Sequence, residues 1–502
     1  MRFPLVPPVA GALTALAFAP VNLSLLPFLT FALLFHYCAD KTPMQALRGG
    51  YLFGLGLFGC GVSWLHISIN LFGGVHIIGA AALTLLMILF LSLYPALAAW
   101  LSRRLAPSGQ TLSILLVMPL TWTLTEWLRA WLLTGFPWLS LGYSQIDTPL
   151  AAYATLGGVF LVSLLTLMLA AALLLMYRNS QMKQRLYLAG FCVLLLALGA
   201  TLQQRDWTQA DDATLQAALI QGAIPQQLKW LPEYRDPSLQ LYLSLTEEHW
   251  GKDLIVWPET AIPLYYHDAL PLLEQLQRLA VQHNSTLLTG LPIKDLDTGE
   301  YYNSILALGE QRQHYHKRHL VPFGEYVPLG FLFDDIVKMM QVPVSDFSTG
   351  DRSQPPLIYT PRAVLGMSIC YENIFGNEII AALPEAGLLV NVSNDAWFGE
   401  LIAPHQHLQI ARMRSLETGR YMLRGTNTGI SAIIDEKGRI ITRIEQLIAD
   451  STSATIKTFS GHTPYSRWGN YPLVILLCGL LLGLWVFKLR QPAPAHASDQ
   501  AR

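Results

Sequence analysis

The sequence has little charge and few cysteines. Charged residues make up 13% of its 502 residues, about half of the roughly 25% that is usual in soluble domains. With a hydrophobic fraction of 52%, this composition excludes both a disordered chain and an ordinary soluble enzyme. Five cysteines in a chain of this length exclude a disulfide-stapled secreted scaffold. The net charge of −1 lacks the basic excess of nucleic-acid-binding proteins, so no nucleic-acid partner is expected.

The charges that are present are unevenly distributed. Residues 1–203 hold nine Lys or Arg and three Asp or Glu, whereas the rest of the chain holds 24 and 31. A membrane-spanning helix needs about 20 mostly apolar residues. The sequence therefore predicts a membrane domain of seven spans over 1–203, a soluble domain over 204–466, a final span within 467–490 and a tail over 491–502. The predicted spans are 4–20, 22–37, 50–69, 77–102, 111–133, 151–177, 185–202 and 471–487.

The positive charges next to these spans indicate their orientation. They occupy alternate connections, namely Lys41 and Arg48, Arg103 and Arg104, Arg178, Lys183 and Arg185, and finally Lys488 and Arg490. The other short connections contain no Lys or Arg. Because cytoplasmic loops carry the excess of positive charge, both termini are predicted to be cytoplasmic. The soluble domain is then on the outer face of the membrane.

Two further segments have open interpretations. Glu126 and Arg129 lie three residues apart within a predicted span and so share a helix face. They form either a structural ion pair or a contact to a lipid headgroup. The unusually apolar segment 327–347 is either a lipid-facing lid or a helix packed on the core.

The soluble part has the pattern of an α/β domain. Short apolar runs bounded by turn residues predict buried strands, which are 215–222, 253–259, 285–292, 303–309, 364–372, 387–395 and 429–435. Amphipathic stretches between them predict helices at 236–250, 269–283, 374–385 and 405–421. This alternation favours sheets covered by helices.

Three predicted strand ends carry reactive side chains. Cys370, the one cysteine of the soluble part, ends an apolar run and precedes a predicted helix whose N-terminus is expected to favour the thiolate. Glu259 ends another run, and Lys317 and Glu325 lie in a stretch rich in turn residues. Taken singly, each is more simply a buried cysteine or a surface charge. Together they predict a covalent site with a nucleophile, a base and a cation that stabilises an oxyanion.

The motifs around these residues resemble those of a known superfamily. The segments WPET (257–260), KRHLVPFGEYVP (317–328), SICYEN (368–373) and NVSNDAWFG (391–399) are similar to the Glu-Lys-Cys signature of nitrilases. Combined with the apolar spans on both sides, they resemble the apolipoprotein N-acyltransferase family, a membrane-embedded branch of that superfamily. The resemblance extends over nearly the whole chain.

This resemblance implies a fold and a set of residue roles. The fold is an eight-helix transmembrane bundle in the bacterial inner membrane with a nitrilase-like αββα sandwich on its periplasmic side. Glu259 is then the general base, Lys317 the oxyanion stabiliser and Cys370 the nucleophile. The supporting carboxylates are Glu325 and Glu372. The residues that shape the acyl and substrate pocket are Trp230, Asn303, Tyr371, Asn394 and Trp397.

The implied reaction moves a fatty acyl chain from a membrane glycerophospholipid to the α-amine of a diacylglyceryl-cysteine at the N-terminus of an apolipoprotein. It proceeds through a thioester on Cys370 and needs no metal or other cofactor. Two alternatives stay open on the sequence. One is a membrane-tethered nitrilase-type amidase that hydrolyses a small amide, and the other is a lipid-binding scaffold without activity.

Overall fold

The computed structural model describes residues 5–105, 111–327 and 347–489. Within these ranges a helical N-terminal part is followed by an α/β part and a last apolar helix. The predicted tail 491–502 and residues 328–346 of the predicted lid lie outside the described residues.

The N-terminal part is built from nine α-helices among the described residues. They are α1 Val6–Ala15, α2 Leu26–Ala39, α3 Pro43–Gly61, α4 Leu65–Ile67, α5 Ile77–Leu91, α6 Leu93–Leu105, α7 Met118–Arg129, α8 Ala154–Arg178 and α9 Met182–Gln203. Glycines let α3 approach its neighbours closely. A Cβ atom on Gly56 would lie 2.0 Å from the carbonyl oxygen of Pro8, and one on Gly50 would lie 2.3 Å from that of Pro95. Small residues commonly permit such close helix packing in membranes.

The described helices support a membrane protein but not the full predicted set of spans. Four helical segments are long and apolar enough to cross a membrane: Ile77–Leu105, Pro149–Arg178, Met182–Gln203 and Tyr471–Lys488. A fifth is possible if α3 and Leu65–Phe72, which meet at a bend of 58°, form one broken span. The helices α1 and α2 are shorter, at 10 and 14 residues. The prediction of eight spans is therefore not confirmed by helix length and composition.

The α/β part contains two six-stranded sheets. The strands are β1 Thr208–Gln221, β2 Leu254–Val256, β3 Thr286–Lys294, β4 Tyr301–Leu308, β5 Gln313–His316, β6 Leu357–Tyr359, β7 Val364–Ile369, β8 Leu388–Ser393, β9 Met422–Thr426, β10 Ala432–Ile434, β11 Ile440–Arg443 and β12 Asp450–Gly461. The first sheet has the order β12-β1-β2-β3-β4-β5 and the second the order β11-β10-β9-β8-β7-β6.

The two sheets pack face to face and helices cover their outer faces. Apolar side chains from both sheets, such as Val256 and Val392, share one buried cluster. The helices α10 Pro232–Thr246 and α11 Leu270–Gln282 pack on the first sheet. The helices α12 Gly376–Ile379 and α13 Ala403–Thr418 pack on the second. The layers therefore follow the αββα order that the sequence resemblance implied. Two helices, α14 Pro464–Trp468 and α15 Tyr471–Leu489, complete the described chain.

Two predicted helices differ from the observed ones. The predicted helix 374–385 is divided into a 3-10 turn at Cys370–Ile374, the short α12 and a second 3-10 turn at Ile380–Ala382. The predicted helix 405–421 ends earlier, at Thr418, because Gly419 adopts a left-handed conformation with φ 63°. Glycine at this position commonly ends a helix.

Polar side chains of α13 join the two parts of the protein. Gln409 accepts a hydrogen bond from the backbone amide of Ala19 at 3.2 Å. Glu417 accepts one from the amide of Val159 at 2.7 Å, directly after the non-helical break at Gly158 inside α8. Both amides belong to the helical part, so α13 satisfies backbone groups that the apolar helices leave unpaired.

Candidate active site

Strand direction brings the predicted reactive residues to one edge of the sandwich. Strands β2 and β3 are parallel, β4 is antiparallel to β3, and β5 is antiparallel to β4. The strands β2 and β5 therefore end at the same edge, where Glu259 and Lys317 follow them. In the facing sheet, Cys370 directly follows β7, which runs parallel to β8. Sites of α/β proteins commonly form at such strand ends.

A buried lysine lies between two carboxylates at this edge. The side chain of Lys317 is 1% exposed, and its Nζ donates to Glu325 Oε1 at 2.8 Å and lies 3.8 Å from Glu259 Oε1. Asn303 Nδ2 bridges the same two oxygens, at 2.7 Å from Glu259 and 3.2 Å from Glu325. Glu325 Oε2 also accepts the backbone amide of Val321 at 2.7 Å, which fixes this carboxylate. These bonds hold Glu259 and Lys317 in a defined relative position.

Cys370 is buried and has an unusual backbone conformation. Its φ of 50° lies in the left-handed region, which non-glycine residues adopt rarely and often at functional sites. Burial raises the pKa of the thiol, the charges of Glu259 and Asp395 add to that effect, and Lys317 opposes it. The expectation that a helix N-terminus favours the thiolate is therefore wrong. The turn that follows Cys370 is a 3-10 helix of five residues, and burial beside carboxylates outweighs it.

The pKa values of Glu259 and Lys317 are both raised. Burial raises the pKa of Glu259 above its usual value, Glu325 adds to the rise, and Lys317 opposes it. Burial alone would lower the pKa of Lys317, but the charges of Glu325 and Glu259 hold it above its usual value. Lys317 is therefore an ammonium ion at neutral pH. A carboxylate with raised proton affinity beside a protonated thiol is suited to accept the thiol proton.

Glu372 links the strand that ends before Cys370 to the segment that carries Lys317. Its carboxylate accepts the backbone amides of Ile369 at 2.6 Å, Arg318 at 2.5 Å and His319 at 3.1 Å. The Tyr315 hydroxyl lies 3.0 Å from both of its oxygens. Burial raises the pKa of Glu372 to about 7, and the backbone amides of Arg318 and Ile369 limit the rise. This carboxylate supports the site structurally, because it joins residues next to Lys317 and Cys370.

Tyr371 connects the site to the helical part. Its hydroxyl donates to the carbonyl oxygen of Gly135 at 2.9 Å. The next carbonyl, that of Phe136, accepts from Arg129 Nη1 at 2.5 Å. Arg129 and Glu126 are both buried in α7 and lie 3.9 Å apart. Of the two interpretations of this pair, the structure shows the ion pair, which holds the loop that Tyr371 contacts.

The remaining predicted pocket residues divide into a buried and an exposed group. Asn394 is buried and donates to Gln226 Oε1 at 2.7 Å. Trp230 is 50% exposed and Trp397 is 41% exposed. The ring of Trp397 packs edge-on against Phe72, with 5.2 Å between ring centroids. The two tryptophans therefore offer open apolar surface, whereas Asn303, Tyr371 and Asn394 have partners within the protein.

Sequence reasoning missed several buried charges near the site. Asp395 lies 2.5 Å from Arg424 Nη2 and 3.0 Å from His407 Nδ1. Burial raises the pKa of Asp395, but His407 and Arg424 together hold it well below its usual value. Lys229 was also missed, although it lies one residue before the predicted Trp230. Within the described ranges, no group of three His, Cys, Asp or Glu side chains is arranged to hold a metal ion.

Two family models match the two parts of the chain. The model described as "Apolipoprotein N-acyltransferase N-terminal domain" matches residues 10–172, and the model "Carbon-nitrogen hydrolase" matches residues 216–458. Three similar proteins are each named apolipoprotein N-acyltransferase. The one from Methylococcus capsulatus is 42% identical and the alignment covers 98% of this chain and 97% of that protein. The protein from Nitrosomonas europaea is 44% identical, with 94% of each covered, and that from Vibrio cholerae is 40% identical, with 97% of each covered. The chain therefore belongs to the apolipoprotein N-acyltransferase family.

Proposed function

We propose that the protein transfers a fatty acyl chain from a membrane glycerophospholipid to the α-amine of the diacylglyceryl-cysteine of an apolipoprotein, through a thioester on Cys370. One observation carries this proposal. A buried thiol lies with Glu259 and Lys317 at a sandwich edge, and its neighbour Tyr371 contacts the helical part of a membrane protein. Both substrates are anchored in lipid, so a catalyst for them is expected next to a bilayer.

The first half-reaction forms the acyl-enzyme. Cys370 Sγ gives its proton to Glu259 and attacks the ester carbonyl carbon of the phospholipid, so that a C–S bond forms. The carbonyl oxygen takes up negative charge, which the Lys317 ammonium stabilises. The ester C–O bond then breaks, and Glu259 returns the proton to the departing oxygen of the lysophospholipid. The products are a thioester on Cys370 and an ionised Glu259.

The second half-reaction forms the amide. The neutral α-amine attacks the thioester carbonyl carbon, a C–N bond forms, and Lys317 again stabilises the oxyanion. Glu259 accepts a proton from the nitrogen, the C–S bond breaks, and the proton passes to the departing sulfur. The thiol and carboxylate return to their initial states. A ping-pong sequence of this kind is typical of covalent catalysis.

The proposal includes a membrane arrangement. It has eight spans, both termini in the cytoplasm and the sandwich on the periplasmic side of the bacterial inner membrane. The alternating positions of Lys and Arg in the short connections support this orientation. The apolar helices α1 and α2, which are too short to span unaided, pack with α3 and α8 and are assigned to the same bundle.

A two-stage labelling experiment tests the function. The purified protein in phospholipid nanodiscs is given phosphatidylethanolamine with a radiolabelled acyl chain, and label resistant to acid but released by neutral hydroxylamine is measured. Wild type and Cys60→Ala, which changes an exposed cysteine, are expected to be labelled, and Cys370→Ala is not. Label on Cys370→Ala equal to wild type would overturn the thioester.

The second stage separates transfer from hydrolysis. A diacylated lipopeptide with a free α-amine is added to the labelled enzyme, with its N-acetylated form as the matched control. The label is expected to move to the free-amine peptide only. Release of the label as free fatty acid at the same rate with both peptides would instead identify a hydrolase of the amidase type.

A further inference from the structure

Lys229 is a buried lysine that the steps above do not use. It is 2% exposed, and its Nζ donates to the backbone carbonyl oxygen of Glu259 at 3.1 Å. Among the described residues, Lys229 forms no ion pair with a carboxylate within 4.0 Å, and its hydrogen bond goes to this carbonyl oxygen. A buried ammonium without a direct ion-pair partner is costly, because charge is poorly solvated in a protein interior. Its placement directly behind the general base therefore calls for a functional explanation.

The segment that carries Lys229 contacts the ends of both sheets, through Gln226 and through Lys229 itself. Gln226, at the start of the same turn, accepts a hydrogen bond from Asn394 at the edge of the second sheet. At the end of the first sheet, Thr260 directly follows Glu259 and has a φ of 50°. A Cβ atom on Gly290 of β3 would lie 2.4 Å from the Thr260 amide nitrogen, so the backbone there is tightly enclosed. Lys229 completes this enclosure by bonding the carbonyl of Glu259.

The charge of Lys229 acts on the same carboxylate. Among the described residues, the charged groups named as acting most strongly on Glu259 are Lys317, Glu325 and Lys229, and the charge of Glu259 acts in turn on Cys370. Burial lowers the pKa of Lys229 to about 8, and the charge of Glu259 opposes the decrease. Lys229 is thus positively charged through the acidic and neutral range. Without Lys229, Lys317 would be left, of these described groups, to offset the charges of both Glu259 and Glu325.

We infer that Lys229 is a positioning residue for Glu259. The Lys229 ammonium fixes the backbone of Glu259 and keeps the Glu259 carboxylate ionised before each acyl transfer. This inference rests on the proposed function. A positive charge near a carboxylate favours the ionised form and lowers its pKa. Loss of the Lys229 charge therefore raises the pKa of Glu259. The acid limb of acyl-enzyme formation, where Glu259 becomes protonated and inactive as a base, then moves to higher pH.

The pH profile of acyl-enzyme formation tests this inference. Single-turnover labelling from phospholipid is measured in nanodiscs between about pH 5 and 9 for wild type, Lys229→Arg, Lys229→Met and Lys229→Gln. The Gln variant keeps an N–H donor for the Glu259 carbonyl but has no charge. Lys457→Met, which changes an exposed lysine of β12 in the same sheet, is the matched control.

The expected outcome is a shift that depends on charge. Lys229→Met and Lys229→Gln move the midpoint of the acid limb up by at least about half a pH unit, which corresponds to roughly a threefold slower reaction on that limb. Lys229→Arg and Lys457→Met keep the wild-type midpoint. The Gln variant keeps the test decisive if the Met variant does not fold.

Two failures are distinguishable. If wild type forms no acyl-enzyme at any pH, the proposed function itself is refuted. If wild type is labelled but the uncharged variants lose rate equally at every pH, or lose none, Lys229 has no electrostatic role and the inference alone is refuted.

Discussion

Replacing Glu372 with glutamine tests how far the site depends on one buried carboxylate. The two oxygens of Glu372 accept three backbone amides, those of Ile369, Arg318 and His319. A glutamine has one oxygen and one NH2 group in the same space. In either orientation of the amide, the NH2 group faces at least one backbone N–H, which then has no acceptor. Leaving one buried donor unsatisfied costs about 1–3 kcal/mol.

The lost hydrogen bond is expected to disturb the relative positions of Cys370 and Lys317. Ile369 directly precedes Cys370, and Arg318 directly follows Lys317, so the bonds of Glu372 help to set the distance between Cys370 and Lys317. We expect Glu372→Gln to lower the thermal unfolding temperature. If the whole 1–3 kcal/mol also appears in the transition state, acyl-enzyme formation becomes slower by about 5- to 150-fold, at 1.36 kcal/mol for each factor of ten.

The assay is single-turnover labelling at neutral pH, together with thermal unfolding of the same samples. Glu378→Gln is the matched control, because Glu378 is a nearby carboxylate whose side chain is 34% exposed and pairs with the His319 ring at 2.7 Å. Because Glu378 is partly exposed and accepts none of the three backbone amides that Glu372 holds, this variant is expected to lose less rate and less stability than Glu372→Gln. A Glu372→Gln enzyme with wild-type labelling and stability would refute the assigned role.

Two other substitutions have expected outcomes. Glu325→Gln removes the closer of the two carboxylate partners of the buried Lys317. Because breaking a buried pair costs about 3–5 kcal/mol, we expect the rate of acyl-enzyme formation to fall at least about tenfold. An unchanged rate would show that Glu259 alone holds the lysine. Glu417→Gln removes a fully buried carboxylate that accepts the Val159 amide, so the unfolding temperature in detergent should fall clearly. Arg412→Ala, which breaks an ion pair to a half-exposed aspartate, should change it little, and equal shifts in the two variants would contradict the importance of burial.

The sequence was most informative where function is carried by short local motifs. Glu259, Lys317 and Cys370 each follow a strand, and the direction of the strands alone brings them to one edge. The short apolar runs predicted seven of the twelve described strands, namely β1 to β4, β7, β8 and β10, whereas β5, β6, β9, β11 and β12 were not predicted. Strands that are buried on both faces, such as β2, β7 and β8, are the easiest to predict because they appear as continuous apolar runs.

The sequence was least informative where a partner is distant along the chain. Strand β9 was not predicted because Arg424 and Gly425 interrupt its apolar pattern, yet Arg424 is fully buried and pairs with Asp395. Lys229 resembled a surface charge, because its bond to Glu259 spans 30 residues. The raised pKa of Cys370 likewise depends on burial and on carboxylates contributed by other strands, which a single segment of sequence does not reveal.

The contacts of α13 have a consequence for dissecting this protein. The sandwich and the N-terminal helices occupy different ranges of the sequence, so residues 204–466 could be expressed alone. In such a fragment, Gln409 and Glu417 would lose their hydrogen bonds to the amides of Ala19 and Val159. The side chains of Arg414 and Glu417, which are both buried in the full protein, would become exposed to water. The isolated helical part would in turn leave the amides of Ala19 and Val159 without these hydrogen-bond acceptors. We therefore expect truncation at this boundary to destabilise both parts, so activity should be sought in a protein that contains them together.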